Sequence, residues 1–204
     1  MLADFLFKGS FVIQGTIIGI EGLVFAGKTT LSENLGQSLP AAIVHEYGFY
    51  AGGSKSFPKY PPESYRAAIK ASQFFINIEQ ERINVLRGFL LDSPEYVVVD
   101  RTYMTCLAFD FAAKMFTGFD TYDEVYNLWQ RADKIETDVT IYLDVSDAEM
   151  MKRVPLRKSK CPDHLLDPEF NRQIRQYLQR QKVFMVNADQ SKRQVLQEVK
   201  NCLG

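Results

Sequence analysis

The sequence has few cysteines: Cys106, Cys161 and Cys202 are the only three, and they lie far apart in the chain. Such an odd, scattered set excludes a disulfide-stapled scaffold and is typical of a protein of the reducing cytoplasm. Cys161 and His164 stand close together, but one cysteine and one histidine do not make a zinc site, so we interpret this segment as a surface loop.

The sequence also lacks an excess of either charge and lacks long apolar runs. Its 24 Lys and Arg residues nearly balance 25 Asp and Glu residues, for a net charge of −1. This balance argues against nucleic acid or an anionic membrane as a partner. No apolar run reaches the roughly 18 residues of a membrane span. Residues 1–15 carry no basic segment with a cleavage site and are expected to form a short N-terminal extension.

What the sequence does have is a regular alternation of apolar strand-like runs and helical patterns. With 204 residues, 46% of them apolar, the chain is long enough for one domain with a full core, spanning residues 1–204. The pattern predicts strands near 16–21, 42–46, 96–100, 139–145 and 183–187, and a long helix over residues 63–91. Several of the runs are continuously apolar, which predicts an α/β fold: a parallel sheet of about five strands with helices on both faces.

Residues 22–29 complete the pattern G-x-x-x-x-G-K-T of a phosphate-binding loop. An apolar strand precedes it and a helical pattern follows it, which is the context that the motif requires. In such a loop, backbone N–H groups and the helix N-terminus hold nucleotide phosphates, the lysine reaches the outer phosphates, and the threonine hydroxyl takes a Mg²⁺ position. The predicted nucleotide-binding residues are Gly22, Ala26, Gly27, Lys28, Thr29 and Thr30, with Thr29 also a metal ligand.

Two further strands of the predicted sheet end in charged residues. Ligands of parallel sheets bind at the carboxyl ends of strands, so Asp100 is expected to hold Mg²⁺ through its waters or to accept a hydrogen bond from Thr29. Arg101 is expected to bind an anionic acceptor. The alternative is that Asp100 caps a helix and Arg101 is solvated. Glu46 would bind a substrate hydroxyl or act on it as a base, or else be a solvated strand end.

Other candidates lie on the long helix, and at the end of a later helix and in the polar loop that follows it at residues 155–166. Arg153 and Arg157 could belong to a cationic lid that neutralises phosphate charge, and are catalytic candidates; the alternative is a solvated basic run at a helix end. On the helix, Phe75 could stack on an acceptor base and Arg82 could read its edge, although aromatic residues in such helices usually belong to the core.

Three segments together resemble the thymidylate kinase-like family of P-loop nucleoside and nucleotide kinases. They are the phosphate loop with the preceding Ile20-Glu21, the segment from Asp100 to Thr105, and the strand from Asp138 to Val145. The resemblance implies a P-loop kinase three-layer sandwich, with ATP and Mg²⁺ as donor and cofactor. It implies ATP-dependent phosphoryl transfer to a nucleoside monophosphate, with thymidylate (dTMP) as the leading acceptor and Arg101 on the acceptor phosphate. A homodimer is left open.

The sequence departs from the family pattern in the acceptor half. Val24 and Phe25 stand where the family usually has an acid and a small or basic residue, and Pro155 replaces one lid arginine. After the second strand, only Glu46 and Gly48 of the family segment remain. A deoxynucleoside kinase, which phosphorylates a nucleoside 5′-hydroxyl, is therefore an alternative, and a non-catalytic nucleotide-binding paralogue is another.

Overall fold

The computed structural model describes residues 15–156 and 161–203. Its five strands form one parallel sheet in the order β2-β3-β1-β4-β5. The strands are β1 (Thr16–Gly22), β2 (Ala41–Val44), β3 (Tyr96–Asp100), β4 (Val139–Asp144) and β5 (Phe184–Asn187). The helices are α1 (Lys28–Ser38), α2 (Tyr47–Tyr50), α3 (Tyr65–Leu91), α4 (Tyr103–Thr117), α5 (Tyr122–Arg131), α6 (Asp147–Arg153), α7 (Pro168–Gln179) and α8 (Lys192–Leu203).

Helices cover both faces of the sheet, as the continuous apolar runs predict. Helices α1 and α8 pack against each other over one face, while α3, α4 and α7 form a second connected group that contacts β1 and β2. The central strands are consequently buried on both sides: Val97, Val98 and Val99 of β3 have no exposed surface. A strand that faces solvent on one side would have needed alternating polar residues instead.

Side-chain caps begin several of the helices at the positions that the sequence favours. Ser64, Thr102, Ser146 and Asp167 each accept a hydrogen bond from a backbone N–H in the first turn of α3, α4, α6 and α7. The segment from residue 48 to residue 62, which connects β2 to α3, contains most of the one-turn helix α2 and a 3-10 turn at Ser54–Ser56.

Because all strands are parallel, their carboxyl ends meet at one edge, where β1, β2 and β3 end at Gly22, Val44 and Asp100. No helix of the described residues is long and apolar enough to cross a membrane. Almost all of the predicted N-terminal extension, residues 1–14, lies outside the described residues, as do residues 157–160 of the predicted lid loop.

Candidate active site

The phosphate loop connects β1 to α1 through two glycines that no other residue could easily replace. Gly22 has φ 146°, and a Cβ there would lie 2.7 Å from the carbonyl oxygen of Leu143. Gly27, with φ 97°, precedes the first residue of α1 in the left-handed region. Phe25, between them, also has a positive φ, 63°, which costs a non-glycine residue about 1–2 kcal/mol. The loop is therefore a strained turn that leads directly into the N-terminus of α1.

Lys28 is buried beneath this loop and has only 6% of its surface exposed. Its ammonium donates hydrogen bonds to the carbonyl oxygens of Gly22 (2.9 Å) and Leu23 (2.6 Å). Burial, and after it the positive charge of Arg101, lowers the pKa of Lys28 to about 7. The same ammonium is close enough to Asp100, Glu21 and Glu46 for their charges to act on it in the opposite direction. The Lys28 ammonium therefore interacts electrostatically with the charged groups at this edge of the sheet.

Asp100 and Thr29, the two predicted metal ligands, are in direct contact. The Thr29 hydroxyl donates to Asp100 Oδ2 over 2.7 Å. Asp100 Oδ1 is buried and has no hydrogen-bond partner among the described residues. Such an orphaned carboxylate oxygen fits a hydrated Mg²⁺, which proteins hold through one or two carboxylates together with water and substrate phosphates. The described residues contain no cluster of three His, Cys, Asp or Glu side chains that could hold a metal ion.

Arg153, a predicted lid arginine, contacts the back of the phosphate loop. Its Nη1 donates to the carbonyl oxygens of Phe25 (3.0 Å) and Ala26 (3.3 Å), and its Nη2 donates to that of Ala188 (2.6 Å). Glu149 accepts a further bond from its Nε. In this arrangement Arg153 braces the strained loop, and its neutralisation of phosphate charge stays a prediction. Arg157 lies outside the described residues.

A cavity of about 470 Å³ opens beside the braced loop. Its walls include Thr30 and Asn34 of α1, the Arg153 side chain, and the segment around Ala188 and Gln190 that follows β5. Because the cavity adjoins Phe25, Ala26 and Gly27 and is mainly apolar with a few amide groups, it suits a flat heterocyclic base attached to phosphates held by the loop. We therefore refer to this cavity as the candidate donor side of the site.

Arg101 lies at the other side of the loop, in a backbone conformation that is rare for its residue type. Its φ is 64°, and its N–H donates to the carbonyl oxygen of Ile20 over 3.0 Å. Its side chain is half-buried, and Nη1 donates to the Thr105 hydroxyl at 3.3 Å. That hydroxyl in turn donates to Glu21 Oε2 at 2.5 Å. The structure therefore brings Arg101 next to Asp100 and tethers its guanidinium through Thr105 to a buried carboxylate.

Glu21 is a site residue for which sequence reasoning assigns no role. It is completely buried, and its Oε1 accepts hydrogen bonds from the N–H (2.8 Å) and hydroxyl (2.7 Å) of Thr102. The sequence does contain an indication of such a role. A carboxylate inside a continuously apolar strand, directly before the glycine loop, must have hydrogen-bond or charged partners in the folded protein. The partners Thr102 and Thr105 come from a segment about 80 residues away in the chain, so the sequence alone could not supply them.

Glu46 follows β2 by two residues and precedes α2, rather than ending the strand itself. Its carboxylate lies over Gly48, where a Cβ would meet Glu46 Oε1 at 2.5 Å, and it makes no hydrogen bond or ion pair with the described residues. Its charge acts on Lys28. The Glu46 side chain is therefore half-buried at the same sheet edge, and its carboxylate has no hydrogen-bond or ion-pair partner among the described residues.

The two predicted base-binding residues of α3 have different positions. Phe75 is half-buried in an aromatic cluster, with ring centroids 5.7 Å from Tyr47 and 5.1 Å from Phe57, so stacking on a base stays a prediction. Arg82 has no exposed surface, and its guanidinium bonds Glu79 and three backbone carbonyls. The expectation that Arg82 reads a base edge does not fit this structure, because the donors that would do so are committed inside the protein.

Comparison with known families agrees with this geometry. The family model described as thymidylate kinase matches residues 20–199, which is most of the chain. The chain belongs to the thymidylate kinase family. Membership supports a nucleotide kinase activity, with a nucleotide as phosphoryl donor, for the site just described. No curated protein sequence matches the chain.

Solved structures confirm the P-loop kinase fold of this family member. A thymidylate kinase from Candida albicans matches with a TM-score of 0.69 and 20% identity, over 93% of this chain and 91% of that one. A deoxyadenosine kinase from M. mycoides, with bound dATP, matches with a TM-score of 0.66 and 19% identity, over 92% of this chain and 98% of that one. At such low identity the likeness shows the fold, and the acceptor has to be argued from the site.

Proposed function

We propose that the protein transfers the γ-phosphoryl group of ATP to a nucleoside monophosphate, with dTMP as the first acceptor to test. The observation that carries this proposal is the placement of Arg101. A rare left-handed backbone and a tether through Thr105 hold its guanidinium beside Asp100, on the side of the loop away from the 470 Å³ cavity. A fixed guanidinium is well suited to bind a phosphate through two parallel hydrogen bonds.

In this proposal the residues divide between donor and acceptor. The donor base occupies the cavity, and the loop N–H groups and Lys28 hold the triphosphate. Thr29 and Asp100 would hold Mg²⁺, which, when bound, neutralises charge on the donor phosphates. Arg101 holds the acceptor phosphate, and Glu46 contacts the acceptor sugar. Phosphoryl transfer needs little covalent help from the protein, so correct positioning of these charges supplies most of the catalysis.

A second candidate, a kinase of unphosphorylated deoxynucleosides, is favoured by Glu46. A nucleoside 5′-hydroxyl needs a base to take its proton, whereas a monophosphate already brings an anionic oxygen. The uncommitted Glu46 carboxylate, close enough to act on Lys28, could serve as that base. Among the described residues, Arg101 is the only cation that we assign to the acceptor side, which also leaves this candidate open.

The test is a transfer assay with γ-labelled ATP and Mg²⁺ against each nucleoside monophosphate and each nucleoside in parallel. The proposal expects labelled diphosphate from a monophosphate and no labelled product from nucleosides. Label on a nucleoside would support the second candidate. ATP binding without transfer to any acceptor would support a non-catalytic paralogue. The Lys28→Met protein serves as the control for a contaminating kinase.

A further inference from the structure

A completely buried charged pair, Glu79 and Arg82, lies outside the donor and acceptor contacts assigned above. Arg82 Nη1 donates to Glu79 Oε2 over 2.6 Å, and both side chains are completely buried. A buried ion pair is weak support for stability by itself, because desolvation offsets most of the attraction between the charges. The other hydrogen bonds of the pair therefore indicate its role in the structure.

The Nε and Nη2 groups of Arg82 bond backbone carbonyls at the carboxyl edge of the sheet. Nε donates to His45 (3.1 Å), while Nη2 donates to Asp100 (3.2 Å) and Arg101 (2.6 Å). These carbonyls belong to Asp100 and Arg101 themselves and to the residue that precedes Glu46. One planar guanidinium thus ties together the ends of β2 and β3, the two strands that carry the acceptor-side residues.

The contact with Arg101 is the most informative, because that residue is strained. A non-glycine residue in the left-handed region persists only where the surrounding structure over-determines it. Both backbone groups of Arg101 are bonded: its N–H to Ile20 and its carbonyl oxygen to Arg82. The Arg82 bond holds one side of the peptide group that follows Arg101, and the bond from the N–H of Thr102 to Glu21 Oε1 holds the other side. Loss of the Arg82 bond would therefore weaken the restraint that keeps φ at 64°, and the side chain could change direction.

The pair itself is held from two other sides. Glu79 Oε1 accepts a hydrogen bond from the N–H of Ile135 at 3.0 Å, and the ring of Tyr47 lies 4.2 Å from the guanidinium carbon of Arg82. Helix α3, the start of α2, the turn after β3 and the segment before β4 therefore meet at the Glu79–Arg82 pair. The contacts with Ile135 and Tyr47 hold the pair in addition to its bonds at the sheet edge.

We propose that Arg82 is a positioning residue, which holds Arg101 in its left-handed conformation and sets the spacing of Glu46, Asp100 and Arg101. The inference depends on the proposed function for the identity of the acceptor, although its geometric part does not. Glu79 has a supporting role, because it holds Arg82 in place.

The experiment compares Arg82→Lys with the wild type, and uses Arg87→Lys, an exposed change on the same helix, as the matched control. A single ammonium cannot bond Glu79 and three carbonyls in one plane. We expect kcat/KM for the acceptor to fall roughly tenfold to a hundredfold, as misplacement of a binding group by about 1 Å does. The KM for ATP should change less than about threefold. A purely structural role would instead change both substrates alike, and that result would contradict the proposal.

Crystal structures of the wild type and Arg82→Lys give a readout that does not depend on the acceptor. We expect φ of Arg101 to leave the left-handed region in the variant, with the phosphate loop unchanged. An unchanged Arg101 and an unchanged Thr29–Asp100 contact would overturn the inference even if the enzyme transfers phosphate to dTMP. If the wild type phosphorylates no monophosphate, the proposed function fails, while the structures still decide the role of Arg82.

Glu79→Gln provides a second variant if Arg82→Lys does not fold. The amide oxygen can still accept one bond, so the fold should persist while the hold on Arg82 weakens. We expect a smaller loss in the same direction, about threefold to tenfold in acceptor kcat/KM, with KM for ATP unaffected. Equal changes for both substrates would again contradict a positioning role.

Discussion

The proposed donor and acceptor sides of the site use the same structural device but assemble it differently. Each side contains one non-glycine residue in the left-handed region, Phe25 (φ 63°) and Arg101 (φ 64°). In each, an arginine from elsewhere in the chain bonds the carbonyl oxygen of the strained residue: Arg153 at 3.0 Å and Arg82 at 2.6 Å. Strain of this kind is common at functional sites, where the backbone is held in place by its surroundings.

The difference lies in what surrounds each arginine. The donor loop is one continuous segment, and the side chain of its brace, Arg153, is 24% exposed. The acceptor side combines the ends of β2 and β3 with α3, and the side chain of its brace, Arg82, has no exposed surface. We infer that the donor geometry, a continuous loop with a partly exposed brace, is the more tolerant of the two, while the acceptor geometry depends on a few completely buried bonds. The following changes test that comparison.

The largest effect is expected at Lys28, which serves the donor. Lys28→Ala should lower kcat by about 10²–10³ or more, because a preorganised charge on the reacting phosphates is lost. The fold should persist, which circular dichroism would check. Lys70→Ala, an exposed change on α3, is the control. Turnover within tenfold of the wild type would remove the phosphate-loop interpretation.

The next effect is expected at Arg101 and should be confined to the acceptor. Loss of a charge-assisted hydrogen bond costs about 1.5–3 kcal/mol, so Arg101→Ala should raise the KM of a monophosphate by roughly one to two orders of magnitude. Steady-state kinetics should show a much smaller change for ATP. Arg101→Gly separates side chain from backbone, since glycine adopts φ 64° without strain. An acceptor KM that stays the same in both variants would place Arg101 outside the acceptor site.

The donor side should also respond to pH through Lys28, whose pKa burial and Arg101 lower to about 7. Nucleotide phosphates favour the ammonium form, so ATP binding takes up a proton above pH 7. The affinity for ATP should therefore fall as pH rises from 7 to 9, by at most about tenfold per pH unit. Calorimetry in buffers of different ionisation enthalpy measures the proton uptake directly. Lys28→Arg should abolish it, because a guanidinium stays charged; uptake that persists in this variant would point to another group.

The smallest effect is expected from Thr105→Val, which removes the hydroxyl between Arg101 and Glu21. Loss of one hydrogen bond, at about 1 kcal/mol, should raise the acceptor KM about fivefold and leave KM for ATP unchanged. Thr105→Ser keeps the hydroxyl and should behave like the wild type. If both variants behave like the wild type, the tether does not position Arg101.

The sequence predicts the donor side better than the acceptor side, and the reason is physical. The loop from Gly22 to Thr29 is local, so its pattern and its flanking strand and helix are visible in the chain. The five parallel strands follow from continuous apolar runs, and the contact between Thr29 and Asp100 from the rule that such strands end at one edge.

The acceptor side resists prediction because no local sequence motif encodes its contacts. Nothing near Arg82 indicates that it bonds Arg101, and nothing near Glu21 points to Thr105. Charged residues on an amphipathic helix such as α3 suggest an open binding role, yet Arg82 is buried. The role of the Arg82 guanidinium follows only from its contacts with the end of β3, which the sequence does not show.

The most direct test of the central claim is the kcat of Glu46→Gln with dTMP and with thymidine, beside the wild type. A monophosphate acceptor brings an anionic oxygen, so our account predicts that kcat with dTMP falls less than tenfold, that its KM rises through weaker sugar contacts, and that thymidine is not phosphorylated by either protein. Loss of a general base typically costs about 10²–10⁴ in rate. A fall in kcat of more than a hundredfold, together with phosphorylation of thymidine by the wild type, would contradict the account and establish Glu46 as the base of a nucleoside kinase.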